Sequence, residues 1–228
     1  SFAIHALIVA HYLRGGFFPV GGGRSIMNCV RPVIERAGGE ILASHEVTDL
    51  LIENKVVIGV RTGLPNGMDS RPRKFFAPIV ISDIGAIETY SKLLRPHVPP
   101  PAGMEKFSTG MSAVTLYLGL KQSPESLGIT GENLWIFNSY DHDAMAEDLG
   151  IFAGQPACCY VSFPSLKNPL AKSHTADIIV LVSPQPFAAF AGRPWRRRGE
   201  DYEAMKSRII GGLLDLVETR FAGFKDLV

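Results

Sequence analysis

From His11 onward the chain reads Tyr12-Leu13-Arg14-Gly15-Gly16-Phe17-Phe18-Pro19-Val20, then crosses three consecutive glycines, Gly21-Gly22-Gly23, into an amphipathic helical pattern. Glycine carries no Cβ, so its backbone passes close to another backbone or to a flat ligand. Three in a row at a helix entrance also leave N–H groups open to a polar partner. A plain turn between two helices satisfies the same pattern. The flanking segments decide between the two readings.

A length of 228 residues suits one large domain or parts of two, at the usual ~100–200 residues per domain. The apolar share is 46% and the charged share 20%, which is enough to bury a core, and the net charge of +1 gives no sign of a nucleic-acid partner. Three cysteines, two of them adjacent at Cys158-Cys159, make no disulfide framework and point to a reducing compartment. No apolar run reaches the ~18 residues of a membrane span. The opening run 2–9 contains His5 and lacks the basic flank of a signal peptide. A cytoplasmic or peripheral-membrane location is expected. The chain begins without methionine inside an apparent secondary-structure element, so a central piece of a longer protein is expected.

Residues 2–13 read as a mostly buried helix. In the next helix Ile26, Cys29, Val30, Val33, Ile34 and Ala37 share one face, with Arg31, Glu35 and Arg36 opposite. Pro32 predicts a kink, and Gly38-Gly39 supply the stop. The period then changes to two. Residues 40–43 and 47–53 read as strands, Asn54-Lys55 as a turn into 56–61, and 64–67 as a second turn before 74–77. Ile79-Val80-Ile81 is an unbroken β-branched run, the pattern of a strand buried on both faces. It ends at Ser82-Asp83-Ile84-Gly85, before a helix over 86–94. Pro96, Pro99, Pro100 and Pro101 form a stiff connection and mark a boundary. Beyond it, strands are expected at 112–120, 133–138, 157–163 and 175–183, with a short helix over 141–149. The closing helix, 201–221, turns Met205, Ile209, Leu213, Leu216 and Val217 inward.

In open α/β sheets ligands sit outside the carboxyl ends of strands, which makes Ser82–Gly85 a place for cofactor contact. An ordinary strand-to-helix turn with Asp83 near the N-cap fits as well. The run from His11-Tyr12 through Gly15-Gly16-Phe17-Phe18-Pro19-Val20-Gly21-Gly22 resembles the flavin-dependent superfamily of phytoene desaturases, carotenoid isomerases and retinol saturases. So do Arg36-Ala37-Gly38-Gly39, Val47 and Val80-Ile81-Ser82. The likeness is strongest to the retinol-saturase branch. It continues through Thr89-Tyr90-Ser91-Lys92-Leu93-Leu94, Phe163-Pro164-Ser165-Leu166-Lys167-Asn168-Pro169 and Arg198-Gly199-Glu200-Asp201-Tyr202-Glu203.

The resemblance implies an α/β (α+β) chain of the FAD-dependent amine-oxidase-like fold, an oxidoreductase that saturates or desaturates a double bond of a retinoid or carotenoid. A partial FAD-binding lobe would cover 1–95, with helices, an antiparallel meander and a returning strand; residues 20–94 are its family-matched part. A mixed-sheet substrate lobe would cover 96–228, family-matched from about 104. The implied FAD contacts are Val47 at the adenine, Ser82, Asp83, Ile84 and Gly85 near the dinucleotide, and Gly21, Gly22 and Gly23 near the flavin. Tyr12, Phe17 and Phe18 are candidates for lining the pocket of a lipophilic polyene. No catalytic residue is assigned. The chain departs from the family in having no Gly-x-Gly-x-x-Gly to hold the pyrophosphate and no C-terminal flavin-binding segment. The isolated chain is therefore expected to bind FAD weakly and to be inactive. A redox-neutral carotenoid isomerase and a non-catalytic prenyl- or isoprenoid-binding escort protein are the alternatives.

Other patterns imply less chemistry. His142 lies between Asp141 and Asp143, but helical neighbours point apart, so no metal is expected. Cys158 and Cys159 in a strand face opposite ways and read as buried thiols. Phe187, Phe190, Arg193, Trp195, Arg196, Arg197 and Arg198 combine rings with a basic run. They read either as a solvated loop or as peripheral contact with an anionic membrane.

Overall fold

The computed structural model describes residues 2–63, 72–94, 97–107, 110–194 and 196–228. The expected turn at 64–67, Pro96 and Trp195 lie outside them. The chain forms two compact units, one of residues 1–30 with 110–228 and the other of residues 31–109. The expected lobes had put 1–30 with the residues that follow them.

The larger unit is built on a four-stranded sheet. Its strands are β4 (Ser112–Leu120), β5 (Leu134–Phe137), β6 (Cys158–Ser162) and β7 (His174–Val182), in the order β4-β7-β6-β5. Every pairing is antiparallel, with β4 and β7 matched along nine residues from Ser112–Val182 to Leu120–His174. This corrects the expected mixed sheet. Strands that alternate a dry face with a wet one are the pattern of an antiparallel sheet, whether the partners are sequential, as β5–β6 and β6–β7, or distant, as β4–β7.

Alternation gives the sheet one dry face. Leu118, Leu120, Ile136, Cys159, Val161, Ala176, Ile178, Val180 and Val182 are buried on it. The long helix α6 (Glu200–Arg220) covers that face with Met205, Ile209, Leu213, Leu216 and Val217. Glu200, Asp201 and Glu203 in its first turn and Arg220 in its last complement the helix dipole. Phe163, Phe221 and Phe224 meet edge to face at 6.3 and 6.4 Å and close the core at the helix's far end. Helix α1 (Phe2–Tyr12), the first part of α2 (Gly23–Arg36) and the one-turn helices α4 (His142–Glu147), α5 (Pro164–Lys167) and α7 (Phe224–Leu227) also fall in this unit.

The smaller unit is the meander β1 (Glu46–Glu53), β2 (Val56–Gly63) and β3 (Arg73–Phe76), antiparallel in chain order, followed by α3 (Ala86–Glu88) and a π turn, Thr89–Leu93. Asn54 and Lys55 both take positive φ, 50° and 65°, as a two-residue hairpin turn demands.

Four expectations change. Residues 79–81 form no strand, and Ile79 and Ile81 are exposed. A strand buried on both faces needs neighbours on both sides, and none pairs with this run among the described residues. Residues 40–43 are likewise unpaired, the chain turning at Ser44 (φ 58°) with the His45 ring hydrogen-bonded to the Ala43 carbonyl at 2.7 Å. The apolar stripe of α2 is uncovered: Ile26, Val30 and Val33 are exposed and no residue of the helix is buried. In α1, Leu7, Val9 and Tyr12 are exposed too. A periodic pattern says which face is apolar, and only a packing partner makes it buried.

Candidate functional site

In the smaller unit Val47 and Ser82, Asp83 and Ile84 come together. They line a cavity of about 550 Å³ with His45 and Leu50 among its other walls. The reason is topological. β1 is an edge strand, so its outer side has no strand partner among the described residues, and the extended chain leaving residue 79 runs along the cavity. The Ser82 hydroxyl hydrogen-bonds the Thr89 hydroxyl at 2.8 Å, and Thr89 donates to the Gly85 carbonyl at 2.8 Å. Gly85, at φ 94°, turns the chain from that wall into α3.

The glycine loop belongs to the larger unit. Gly21 and Gly22 take φ 89° and 71°, in the left-handed region that a side chain resists. The Gly22 N–H donates to the Pro19 carbonyl at 2.8 Å, and the Ser25 hydroxyl donates to the Gly22 carbonyl at 2.7 Å, so the loop is a closed turn feeding α2 at Gly23. Of the three aromatics expected to line a substrate pocket, Tyr12 lines an apolar one. Phe17 is 92% exposed, and Phe18 lies beside Lys167, with Nζ 5.7 Å from its ring centre.

That apolar pocket, about 550 Å³, sits on the face of the four-stranded sheet away from α6. Alternation places Trp135 and Phe137 of β5, Cys158 and Tyr160 of β6, and Ile179 and Leu181 of β7 on this face. Register sets them side by side, Trp135 opposite Tyr160, Phe137 opposite Cys158, and Tyr160 opposite Ile179. The Trp135 ring packs on Tyr160 at 5.3 Å and beside Phe137 at 6.4 Å. Burial, and then the neighbouring Tyr12, push the Tyr160 phenol above its ordinary range.

One residue pair along the strands the face turns polar. Ser162 and Asp177 stand opposite each other on β6 and β7. Lys167 reaches back from α5 and donates to the Ser162 hydroxyl at 2.6 Å and to the Asn133 side-chain carbonyl. Burial lowers the Lys167 pKa against the attraction of Asp177, and burial raises that of Asp177 against the attraction of Lys167. Both are half-buried.

Sequence reasoning missed this group. Outward aromatics two residues apart in a predicted strand were the available signal for the platform. The polar row depends on which strands become neighbours.

Cys158 and Cys159 take opposite faces. Cys159 is fully buried, its thiol pushed up to about 12 by burial, and burial raises the Cys158 thiol as well. The His142 ring packs edge-on to Phe137. Two aromatics of the expected membrane patch, Phe187 and Phe190, pack onto the protein. Phe187 packs on Phe152 at 5.4 Å and Phe190 on Tyr202 at 5.1 Å, while Arg198 donates to the Tyr202 hydroxyl at 2.8 Å. No helix among the described residues is long and apolar enough to cross a membrane.

The chain is similar along its whole length to named proteins. The all-trans-retinol 13,14-reductase of Danio rerio is 30% identical, over all of this chain and 39% of the relative. A protein of the same organism named inactive all-trans-retinol 13,14-reductase is 27% identical, over all of this chain and 40% of the relative. The lycopene-forming phytoene desaturase of Pseudescherichia vulneris is 27% identical, over 90% of this chain and 42% of the relative. The chain thus spans about 40% of the length of these relatives. No family model and no solved structure matches it.

Proposed function

We propose that this chain is part of an FAD-dependent oxidoreductase that saturates or desaturates a carbon–carbon double bond of a retinoid or carotenoid. The observation that carries the reading is whole-length similarity to retinol reductases and phytoene desaturases, in a chain whose larger unit presents an open aromatic pocket.

The residues of the smaller unit suit the nucleoside end of a dinucleotide. Val47, Leu50 and Val60 offer apolar walls for a base, Glu46 and Asp83 offer carboxylates to ribose hydroxyls, and the β1 edge offers peptide groups. The turn at Gly21–Gly23 would lie against the flavin ring, since no Cβ stands on it. When bound, the flavin supplies hydride transfer. Trp135, Phe137 and Tyr160 hold the extended polyene by burial and ring contact, and they exclude water from it.

The pyrophosphate grip is not present in these 228 residues. The chain alone is expected to lose flavin on gel filtration, and a yellow chain with stoichiometric flavin overturns that part. The activity is tested on the natural full-length protein, with FAD, a reductant or an electron acceptor, and all-trans-retinol or phytoene, read by mass spectrometry. Gain or loss of two hydrogens is expected. A product of unchanged mass but altered retention identifies a redox-neutral isomerase instead. The inactive relative favours a second reading, polyene binding without turnover. Bound polyene with no product in any arm establishes it.

A further inference from the structure

Saturating a carbon–carbon double bond adds a hydride to one carbon and a proton to its neighbour. The hydride is the share of reduced flavin when it is bound. The proton falls to the protein, because a polyene seated on the rings displaces water from the pocket. The wall of that pocket offers the hydroxyls of Tyr12 and Tyr160, the His142 ring and the thiols of Cys158 and Cys159. Burial makes both thiols poorer acids. Tyr160 differs from the rest in what stands behind it.

The Tyr160 ring is held edge-on by Trp135 at 5.3 Å, and Ser162, two residues along β6 on the same face, hydrogen-bonds its phenol. The Lys167 ammonium donates to the Ser162 oxygen at 2.6 Å. That leaves the Ser162 hydrogen for the Tyr160 oxygen, and the phenol hydrogen for the pocket. Neither Ser162 nor Lys167 is on the pocket wall, so this row reaches a bound polyene through Tyr160. Burial lowers the Lys167 pKa, which makes its ammonium a readier donor, while burial and then Tyr12 raise the phenol and keep it protonated at neutral pH.

We propose that Tyr160 donates the proton of the saturation and is resupplied by Lys167 through Ser162. This role rests on the reading of the platform as the polyene site of an oxidoreductase. Hydride bonding to one alkene carbon moves the π pair to the other. That carbon takes the Tyr160 hydrogen as a proton, so the O–H bond breaks and a C–H bond forms. The phenolate takes the Ser162 hydrogen, Ser162 takes one from Lys167, and the neutral amine regains its proton from water.

The test uses the natural full-length protein with FAD, a reductant and all-trans-retinol. Tyr160→Phe keeps the ring and loses the hydrogen. It is expected to bind the polyene within about twofold of wild type by tryptophan quenching and to form saturated product about 100-fold more slowly, the scale of one general acid. Ser162→Ala, off the pocket wall, is expected to slow product formation about tenfold at unchanged affinity. A second readout is independent of turnover: NMR of labelled tyrosines follows the Tyr160 phenol, and Ser162→Ala moves its titration upward by removing a donor to the phenolate. Tyr12 on α1, His142 on α4, Cys158 on β6, Lys167 on α5 and Asp177 on β7 are the other titratable groups around it, and that comparison alters none of them. Wild-type turnover in Tyr160→Phe, or loss of its polyene affinity, overturns the donor and leaves the polyene site standing. Unchanged rate and unchanged titration in Ser162→Ala overturn the relay and the assignment with it, so a Tyr160→Phe protein that fails to fold leaves the question decidable. A wild type that binds the polyene and forms no product overturns the oxidoreductase reading and the donor together. One that binds no polyene overturns the site as well.

Discussion

Gly211 and Gly212 are adjacent in α6 and stand in opposite surroundings. A Cβ at Gly212 would lie 2.3 Å from the Gly154 carbonyl oxygen and 2.8 Å from Pro156, whereas one at Gly211 meets nothing within 4 Å. Glycine inside a helix is less favourable than alanine by about 1 kcal/mol. Gly211→Ala is therefore expected to stabilise the chain by up to about that amount. Gly212→Ala should destabilise it by about 1–3 kcal/mol, since overpacking against backbone outweighs propensity. Urea denaturation of the two variants checks the opposite signs, and a stabilising Gly212→Ala would sink the packing account. The cysteines separate in the same residue-by-residue way. Cys29 is exposed, whereas Cys159 is fully buried with its thiol pushed up to about 12. Because the thiolate is the nucleophile, brief iodoacetamide treatment at neutral pH should label Cys29 and spare Cys159. Peptide mass mapping reads the result.

At the scale of elements, α7 is a single turn that cannot hold itself and is fixed from outside. Phe224 and Leu227 are buried in the core, and Glu218 of α6 accepts from the N–H groups of Gly223 at 2.6 Å and Lys225 at 2.9 Å. The Lys225 and Gly223 N–H bonds hold the Glu218 carboxyl below its ordinary 4.5. A depressed carboxyl stabilises the fold above its unfolded value and loses that contribution as pH falls through the folded one. Stability should thus fall as pH drops below about 4.5, and Glu218→Gln should flatten that limb. An unchanged acid limb in thermal unfolding rejects the assignment. Asp177 has the opposite sign: its carboxyl is raised, so its contribution weakens as pH rises from the unfolded carboxylate value through the folded one. The hairpin β1–β2 and the strands of the larger unit were legible from period two and the Asn54-Lys55 turn. The burial of Ile79-Val80-Ile81 was not, because burial is a property of neighbours.

Across the molecule, Leu13, Phe17, Val20, Ile79 and Ile81 are each more than two-thirds exposed. Exposed apolar side chains close together in the chain, as Leu13, Phe17 and Val20 are, favour association. Sedimentation is expected to give a mass above 24.8 kDa that rises with concentration. A monomer at all concentrations would show the exposed residues to be inert. The sequence by its periodicity marked out most of the strands and helices and their apolar faces, though not the unpaired runs 40–43 and 79–81, because strand and helix periods are local. It also carried the likeness to polyene-modifying oxidoreductases, because short runs of residue types persist. Folding alone set the four-stranded sheet antiparallel throughout, left the apolar stripe of α2 uncovered, and placed Val47 in one cavity with Ser82–Ile84. It alone set Ser162 opposite Asp177, with Lys167 on the Ser162 hydroxyl, one side-chain step along the face from Tyr160. Strand pairing joins residues far apart in the chain, and no local pattern encodes which strand becomes whose neighbour.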